Sequence, residues 1–472
     1  MTGMNENPLD LLPEVLLAAS AVIGLLIGAW LPRQRQWMIG ALAAAACTAG
    51  IAAAAVAAAD PITTAFGDSF TIDPVTGASR IIILAGTLLV LALAGGPLRA
   101  NPRECEFYVL VQLAALGTLM LAGAQDLLLV AAGYLLASVP AYTLAGFRKD
   151  AAGTEAALKY YVVGALLGVV MLGGITVLLA AGRTTAYPML RMELPGASTG
   201  LVMAGTVALV AGILFKIGGV PAHFWVPDAV QGSTATVAAF LTTVPKIGAL
   251  AALYRLVAVP LADTSIPWPE LTAVISAASM TLGNLAAFFQ KDVTRLLAYS
   301  TISQVGYLLM PIVVVGATDL DQRALLFYLA GYTVTNLGAF AVVCALPHAP
   351  DIDDYRGLAR ERPVLIASLV VCLLGLVGTP PTAVFLGKLQ VFSAAFDGGY
   401  AWLVVLAAVN TVASLFYYLR WIAPTVSHRS PRPTAAGPRT AAGVACVAAV
   451  SSIALGVLAD PLLDVLGTPI AP

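Results

Sequence analysis

Four of the six lysines in this 472-residue chain lie inside long apolar segments, where a charge is costly. They are Lys159, Lys216, Lys246 and Lys388, whereas each arginine falls in or beside a predicted loop. A lysine near the middle of a bilayer costs about 2.5–3.5 kcal/mol on insertion scales. Unlike arginine, lysine can release its proton when burial disfavours its charged form. These lysines therefore indicate sites that take up and release protons within a membrane.

The four positions differ in how well they fit a purely structural role. Lys159 lies near the end of its segment, so it could snorkel to the interface or pair with Glu155, four residues earlier. Lys246 lies midway along its segment, and Lys216 and Lys388 lie beside helix-breaking residues. For these last three, proton transfer is favoured over a structural role.

Two of the apolar segments, 198–230 and 363–396, are too long for one ordinary span and are interrupted by Gly and Pro. The interruptions read KIGGVP at 216–221 and GLVGTPPTAVFLGK at 375–388. Proline removes a helical hydrogen bond, and in lipid the freed backbone groups need protein or water around them. Paired interruptions of this kind are typical of ion paths in transporters. We therefore expect both to face the protein interior.

Other polar residues in the apolar segments extend this candidate path. Helix–helix packing is the alternative role for those with hydroxyl groups. We take Glu155, His223 and Gln304 as possible auxiliary groups. The full set, besides Glu155, is His223, Ser300, Thr301, Ser303, Gln304, Tyr328, Tyr332, Thr335 and Asn336.

No motif in the sequence points to redox, nucleotide or metal chemistry. The chain has no GxGxxG fingerprint after a strand, no P-loop and no Cys or His cluster. His348 and His428 fall in predicted loops, and the five scattered cysteines read as small buried hydrophobes. We predict no catalytic residue, no metal site and no cofactor bound by this chain.

The composition is that of an all-α integral membrane protein. The chain is 60% hydrophobic and 10% charged, whereas soluble proteins have about 25% charged residues. A membrane helix needs about 20 apolar residues. Segments of this kind number about fourteen, near 11–31, 36–59, 80–98, 107–123, 125–147, 156–181, 198–230, 233–258, 267–289, 295–317, 323–346, 363–396, 400–424 and 439–468, and the longest polar loops are 60–79, 182–197, 347–362 and 425–438.

Basic residues in the loops predict the orientation. With the N-terminus outside, fifteen basic residues fall in inside loops and five in outside loops. Positive charge accumulates on the cytoplasmic side of membrane proteins. The bias predicts an even number of spans with both termini outside, and the inside set includes Arg429 and Arg432.

Several stretches resemble the antiporter-like subunits of respiratory complex I. Residues 215–256 match the family signature, and GNLAAFFQKDVTRLLAYSTISQVGYLL at 283–309 matches the following helix pair. The subunit N type in particular is resembled by residues 106–117, 154–165, 328–343, 355–363 and 378–392. The resemblance covers nearly the whole chain.

The resemblance implies a fold, a role and a setting. It implies fourteen helices in a single membrane domain, with N-terminal helices at 1–106, two inverted five-helix repeats at 107–258 and 267–424, each with a broken helix, and a C-terminal helix at 425–472. Lys159, Lys216, Lys246 and Lys388 match the proton-path lysines of the family. In that setting NAD, flavin, iron–sulfur clusters and quinone belong to the parent complex. The implied partners are subunits M, K and J and the lateral helix of subunit L, in a bacterial plasma membrane.

One residue departs from the family pattern. The family has a fifth-helix motif G-x-E-L-x-S-x-P, and this chain reads GYLLASVP at 133–140, with Leu135 in place of the glutamate. That glutamate pairs with a lysine of its own subunit, so Lys216 has lost its expected partner. This implies either pumping with altered coupling or a divergent paralogue, unless another carboxylate substitutes. The candidates are Glu155 and Asp126.

Three functions remain open from the sequence. The first is proton translocation in an NADH–quinone oxidoreductase. The second is a subunit of a multisubunit cation/proton antiporter, against which the motifs at 355–392 argue. The third is a non-pumping spacer in the membrane arm, inactivated by the change at Leu135.

Overall fold

The computed structural model describes residues 8–58, 61–99, 101–427 and 437–466, and nearly all of them are helical. Within these ranges, twelve helices are long and apolar enough to cross a membrane. This confirms an all-α, multi-pass membrane protein, whereas the count of fourteen spans and the repeat boundaries stay predictions. His428, Arg429 and Arg432 lie outside the described residues.

Nineteen α-helices follow one another along the described chain. They are α1 (Leu12–Gly28), α2 (Trp37–Ala57), α3 (Pro74–Ala94), α4 (Glu104–Gly123), α5 (Leu127–Ala145), α6 (Ala151–Gly182), α7 (Tyr187–Glu193), α8 (Thr199–Ile217), α9 (Trp225–Gly232), α10 (Ala235–Ala258), α11 (Trp268–Ala287), α12 (Val293–Val313), α13 (Asp321–Ala345), α14 (Leu358–Glu361), α15 (Pro363–Val377), α16 (Ala383–Asp397), α17 (Ala401–Thr425), α18 (Arg439–Val457) and α19 (Ala459–Leu466).

The loop predicted at 60–79 contains structure that its polar composition did not reveal. Strands β1 (Thr63–Ala65) and β2 (Phe70–Ile72) form an antiparallel hairpin. The next helix begins at Pro74, six residues before the predicted span at 80–98. Asp73 caps it by accepting a hydrogen bond from the Thr76 N–H, which replaces a helical bond that the first turn lacks.

Helices α10, α12 and α13 form the buried centre of the fold. Almost all residues of these three helices are shielded by their neighbours, and α10 packs against α3, α4 and α13. The approach of α10 to α4 depends on Gly248, where an added Cβ would lie 2.1 Å from the carbonyl oxygen of Thr118. Polar side chains on these helices are therefore held within protein and away from lipid.

Both predicted interruptions are present as helix breaks. Helix α8 ends at Ile217 and α9 begins at Trp225, whereas α15 ends at Val377 and α16 begins at Ala383. At each break the first residue after the helix is a glycine with positive φ: Gly218 at 72° and Gly378 at 93°. Residues that carry a side chain rarely adopt this backbone conformation, so a glycine follows each half-helix.

Candidate functional site

Lys216 lies in the last turn of α8, buried against α5. Its Nζ donates a hydrogen bond to the hydroxyl of Ser138 at 2.9 Å. The same nitrogen lies 5.7 Å from the ring centroid of Tyr134, an attractive arrangement for a cation. Helix α5 therefore contributes an uncharged environment to this amine.

The two carboxylates expected to substitute for the missing glutamate do not contact Lys216. Asp126 caps α5 through the Leu128 N–H at 2.7 Å and accepts from the Thr185 hydroxyl at 2.6 Å. Glu155 pairs with Lys159 at 2.7 Å. Both candidates for a substitute carboxylate are thus held by other groups.

Ser138 is the partner that the sequence reasoning missed. It is the serine of GYLLASVP and lies one helical turn after Leu135, so its spacing on α5 was a usable signal. Leu135 itself is 48% exposed, on the outer surface of the chain. The family motif thus keeps its hydroxyl here, although it loses its carboxylate.

Lys246 reaches the same break from helix α10. Its side chain is fully buried, and its amine donates to the carbonyl oxygen of Ile217, the last residue of α8. Both amines therefore lie at the end of α8: Lys216 belongs to its last turn, and Lys246 contacts it from the neighbouring central helix.

Lys388 occupies the second break. This buried residue of α16 donates to the carbonyl of Val377 at 2.9 Å and to the Thr411 hydroxyl at 3.4 Å. Its amine lies 4.0 Å from the ring centroid of Tyr307, a close cation–π contact. A residue of α17 and one of α12 thus complete the surroundings of this lysine.

Polar side chains of α12 and α13 lie between the two breaks. Near α10, Tyr332 donates to the Thr242 carbonyl at 2.8 Å, and its hydroxyl oxygen lies 3.2 Å from the Thr301 hydroxyl. Asn336 donates to the Thr242 hydroxyl at 3.1 Å. The other predicted polar residues make contacts elsewhere in the helix bundle.

Gln304 connects the central helices to the second break. It donates to the Leu376 carbonyl of α15 at 2.8 Å and accepts a hydrogen bond from the Tyr328 hydroxyl. By contrast, Thr335 joins Ser452 at 2.8 Å across α13 and α18, as expected of helix packing. Ser300 contacts the Tyr418 hydroxyl at 2.5 Å, and the buried Ser303 hydroxyl has no partner among the described residues.

Lys159 and His223 lie apart from this polar interior. The Lys159 side chain is 47% exposed and binds Glu155 and Asp228, and Asp228 in turn pairs with Arg295 at 2.9 Å. His223 lies in the connection from α8 to α9, and its buried Nδ1 has no partner in the described structure. Their roles in a proton path stay predictions, as does that of Glu155.

The three buried amines meet only neutral oxygen atoms and aromatic faces among the described residues. A hydroxyl can accept from an ammonium and can donate to a neutral amine. Ser138 can therefore hydrogen-bond to Lys216 in either protonation state, whereas Thr411 accepts from Lys388 and donates to the Tyr307 hydroxyl at 3.1 Å. This arrangement permits Lys216 to gain and lose a proton while it keeps its hydrogen bond to Ser138.

Comparison with known proteins identifies the family. The family described as "NADH:quinone oxidoreductase/Mrp antiporter, TM" matches residues 124–414. A curated NADH-quinone oxidoreductase subunit N of Mycobacterium sp. (strain JLS) is 54% identical over 97% of each chain. Subunit N 1 of Streptomyces griseus is 50% identical over 98% of this chain and 99% of its own.

Solved structures share the fold. A chain of respiratory complex I from Thermus thermophilus with bound aureothin superposes with a TM-score of 0.84 at 33% identity, covering 97% of this chain and all of that one. The Mrp complex of Dietzia sp. DQ12-45-1b gives a TM-score of 0.83 at 20% identity, covering 97% of this chain and 96% of its own, which shows the fold alone. The chain therefore belongs to the antiporter-like membrane subunit family of NADH:quinone oxidoreductases and Mrp antiporters, and within it to the subunit N group.

Proposed function

We propose that this chain translocates protons as a membrane subunit of an NADH–quinone oxidoreductase. The observation that carries the proposal is the set of three buried lysines at two helix breaks, with hydrogen-bonded polar groups between them, in a chain 54% identical to a subunit N. Electron transfer from NADH to quinone belongs to other subunits, which hold the NAD, flavin, iron–sulfur clusters and quinone. The chain is thus a non-redox subunit of a translocase.

Each buried lysine has a distinct part in this proposal. Lys216 exchanges its proton beside Ser138, and Lys246 links the end of α8 to the central helix α10. Lys388 exchanges its proton at the second break, beside Thr411. Two half-channels that meet in the polar interior of α12 and α13 are consistent with this order. Lys159, Glu155 and His223 are auxiliary groups nearer the surface.

Measuring protons pumped per NADH oxidised tests these roles. Lys216→Ala and Lys388→Ala are expected to lower this ratio in a complex that still assembles. Lys216→Arg is expected to impair pumping too, because arginine keeps its proton. Lys291→Ala, at an exposed loop position, is the control and should pump normally. A normal ratio in both Lys216→Ala and Lys388→Ala would refute the lysine mechanism.

A multisubunit cation/proton antiporter subunit is the first alternative. The 20% identity to a chain of the Mrp complex supports only a shared fold, whereas the curated relatives at 54% and 50% identity are subunit N proteins. Co-purification with flavin and iron–sulfur subunits is expected. Cation/proton exchange without any NADH oxidation would favour the antiporter instead.

A non-pumping spacer is the second alternative. Lys216 keeps a buried hydrogen-bond partner despite the change at Leu135, which supports an active subunit. Leu135→Glu separates the two functions when pumping is measured beside Lys216→Ala. No gain from Leu135→Glu, together with unchanged pumping by Lys216→Ala, would establish a spacer.

The proposed setting is the bacterial plasma membrane, with both termini on the periplasmic side. Subunits M, K and J and the lateral helix of subunit L are the proposed neighbours, and cross-linking of the intact complex identifies them. A thiol reagent that cannot cross the membrane should label Arg183→Cys from the periplasm. It should label Arg35→Cys only after the membrane is opened, and the reverse pattern would invert the topology.

A further inference from the structure

The two helix breaks share one arrangement of backbone and lysine. Gly218 follows the last residue of α8, and Gly378 follows the last residue of α15, both with positive φ. Each glycine N–H donates to the carbonyl four residues earlier, at 2.9 Å and 3.1 Å. This C-cap satisfies earlier carbonyls, but it leaves the carbonyl of the residue just before each glycine without a backbone donor.

A lysine amine binds that last carbonyl at both breaks. Lys246 donates to the carbonyl of Ile217, and Lys388 donates to that of Val377 at 2.9 Å. The carbonyl end of a helix carries partial negative charge, which attracts a cation. The first lysine comes from a separate helix two elements on, whereas the second comes from the other half of the broken helix. The same contact is thus made by two different routes.

Each lysine also fills the space that a side chain on the glycine would need. A Cβ added to Gly218 would lie 3.0 Å from Nζ of Lys246 and 2.7 Å from Cγ2 of Val226. A Cβ added to Gly378 would lie 3.0 Å from Cδ of Lys388. At 3.0 Å the lysine atom must give way by a few tenths of an ångström to make room for the added Cβ. The glycines therefore provide both the backbone turn and the room in which the amine reaches its carbonyl.

We propose that Gly218 and Gly378 are positioning residues, which hold the amines of Lys246 and Lys388 against the last carbonyl of each half-helix. This inference rests on the proposed proton-translocating function of the chain. The glycines exchange no proton themselves. They fix the position of each lysine amine, so that a displaced amine loses its hydrogen bond to that carbonyl.

Alanine at the two glycines, in the complete complex, tests the inference. Gly218→Ala and Gly378→Ala are expected to keep NADH oxidation within about twofold of normal, yet to lower the protons pumped per NADH by at least half. Gly316→Ala and Gly399→Ala are matched controls. Both glycines have similar positive φ values, 75° and 87°, and a Cβ on either meets nothing within 4 Å. They reproduce the backbone strain without touching a lysine, and should pump normally.

The outcomes separate this inference from the proposed function. The positioning role would be overturned if Gly218→Ala and Gly378→Ala pump at the same ratio as the control variants, even if Lys388→Ala stops pumping. Normal pumping by Lys216→Ala and Lys388→Ala as well would overturn the proposed function. If Gly218→Ala prevents assembly, adding Val226→Ala removes the closest clash and leaves the clash with the amine. Normal pumping by that double variant would also overturn the inference.

Discussion

A buried ion pair between Asp73 and Arg255 attaches the central helix α10 to α3 and α4. The guanidinium donates to both carboxylate oxygens, at 2.8 Å and 2.5 Å, and both side chains are fully buried. It also donates to the Thr76 hydroxyl at 2.7 Å and to the Ala122 carbonyl at 2.8 Å. Because α10 carries Lys246, this pair contributes to the position of that amine as well as to stability.

Replacing Asp73 with asparagine is expected to reduce the free energy of unfolding by about 3–5 kcal/mol, the cost of leaving one buried charge without its partner. Asp263→Asn is the matched control. Asp263 pairs with Arg191 at 2.7 Å, but these side chains are 57% and 37% exposed. An exposed pair is worth at most about 1 kcal/mol. The double variant Asp73→Leu/Arg255→Met removes both charges and is expected to recover much of the loss.

Equilibrium unfolding of the chain purified in detergent measures the difference. A thiol-reactive dye provides the signal, because Cys47, Cys105, Cys344 and Cys372 are free and buried in the folded chain. Asp73→Asn should unfold at a lower denaturant concentration than Asp263→Asn. Equal losses in the two variants, or a larger loss in the double variant than in Asp73→Asn, would refute the reasoning.

Three further predictions follow from packing and exposure. Gly248→Ala is expected to lower the free energy of unfolding by about 1–3 kcal/mol, because its Cβ would overlap α4. Gly173→Ala is the control, because its Cβ would meet nothing within 4 Å, and its free energy of unfolding should not fall. Equal losses of stability in the two variants would disprove the packing argument. Ser138→Ala should reduce protons pumped per NADH and Ser138→Thr should retain pumping; equal ratios would dismiss the hydroxyl's role. Lys159→Gln should impair pumping less than Lys246→Gln, since Lys159 is 47% exposed, and a larger effect at Lys159 would reverse that ranking.

The membrane class and both helix breaks could be predicted from the sequence because they depend on local composition. A run of apolar residues long enough to span a bilayer is visible without any tertiary contact. The Gly and Pro residues at 216–221 and 375–388 mark breaks because they act on their own backbone. By contrast, the hairpin in the loop at 60–79 has strands of only three residues each, which are too short for an alternating pattern to reveal them.

The groups that contact the lysines could not be predicted from the sequence, because they depend on how the helices are rotated and packed against each other. Asp126 and Glu155 were the candidate partners of Lys216, but each contacts another group. Ser138 lies on the side of α5 that meets α8, and a sequence period alone does not say which neighbour a helix face will contact. The sequence also could not decide how exposed Lys159 is, because a lysine near a helix end can either form an ion pair or snorkel to the interface.

The sequence by itself determined that titratable lysines lie in membrane-spanning segments beside two interrupted helices. It did so because hydropathy and backbone preference act over a few neighbouring residues. Only the tertiary structure decided that Lys246, a residue of another helix, binds the end of α8, whereas Lys388 binds the end of α15. A carbonyl left free at a helix end accepts whichever buried donor the packing brings to it, and the packing of distant segments is not encoded in either segment alone.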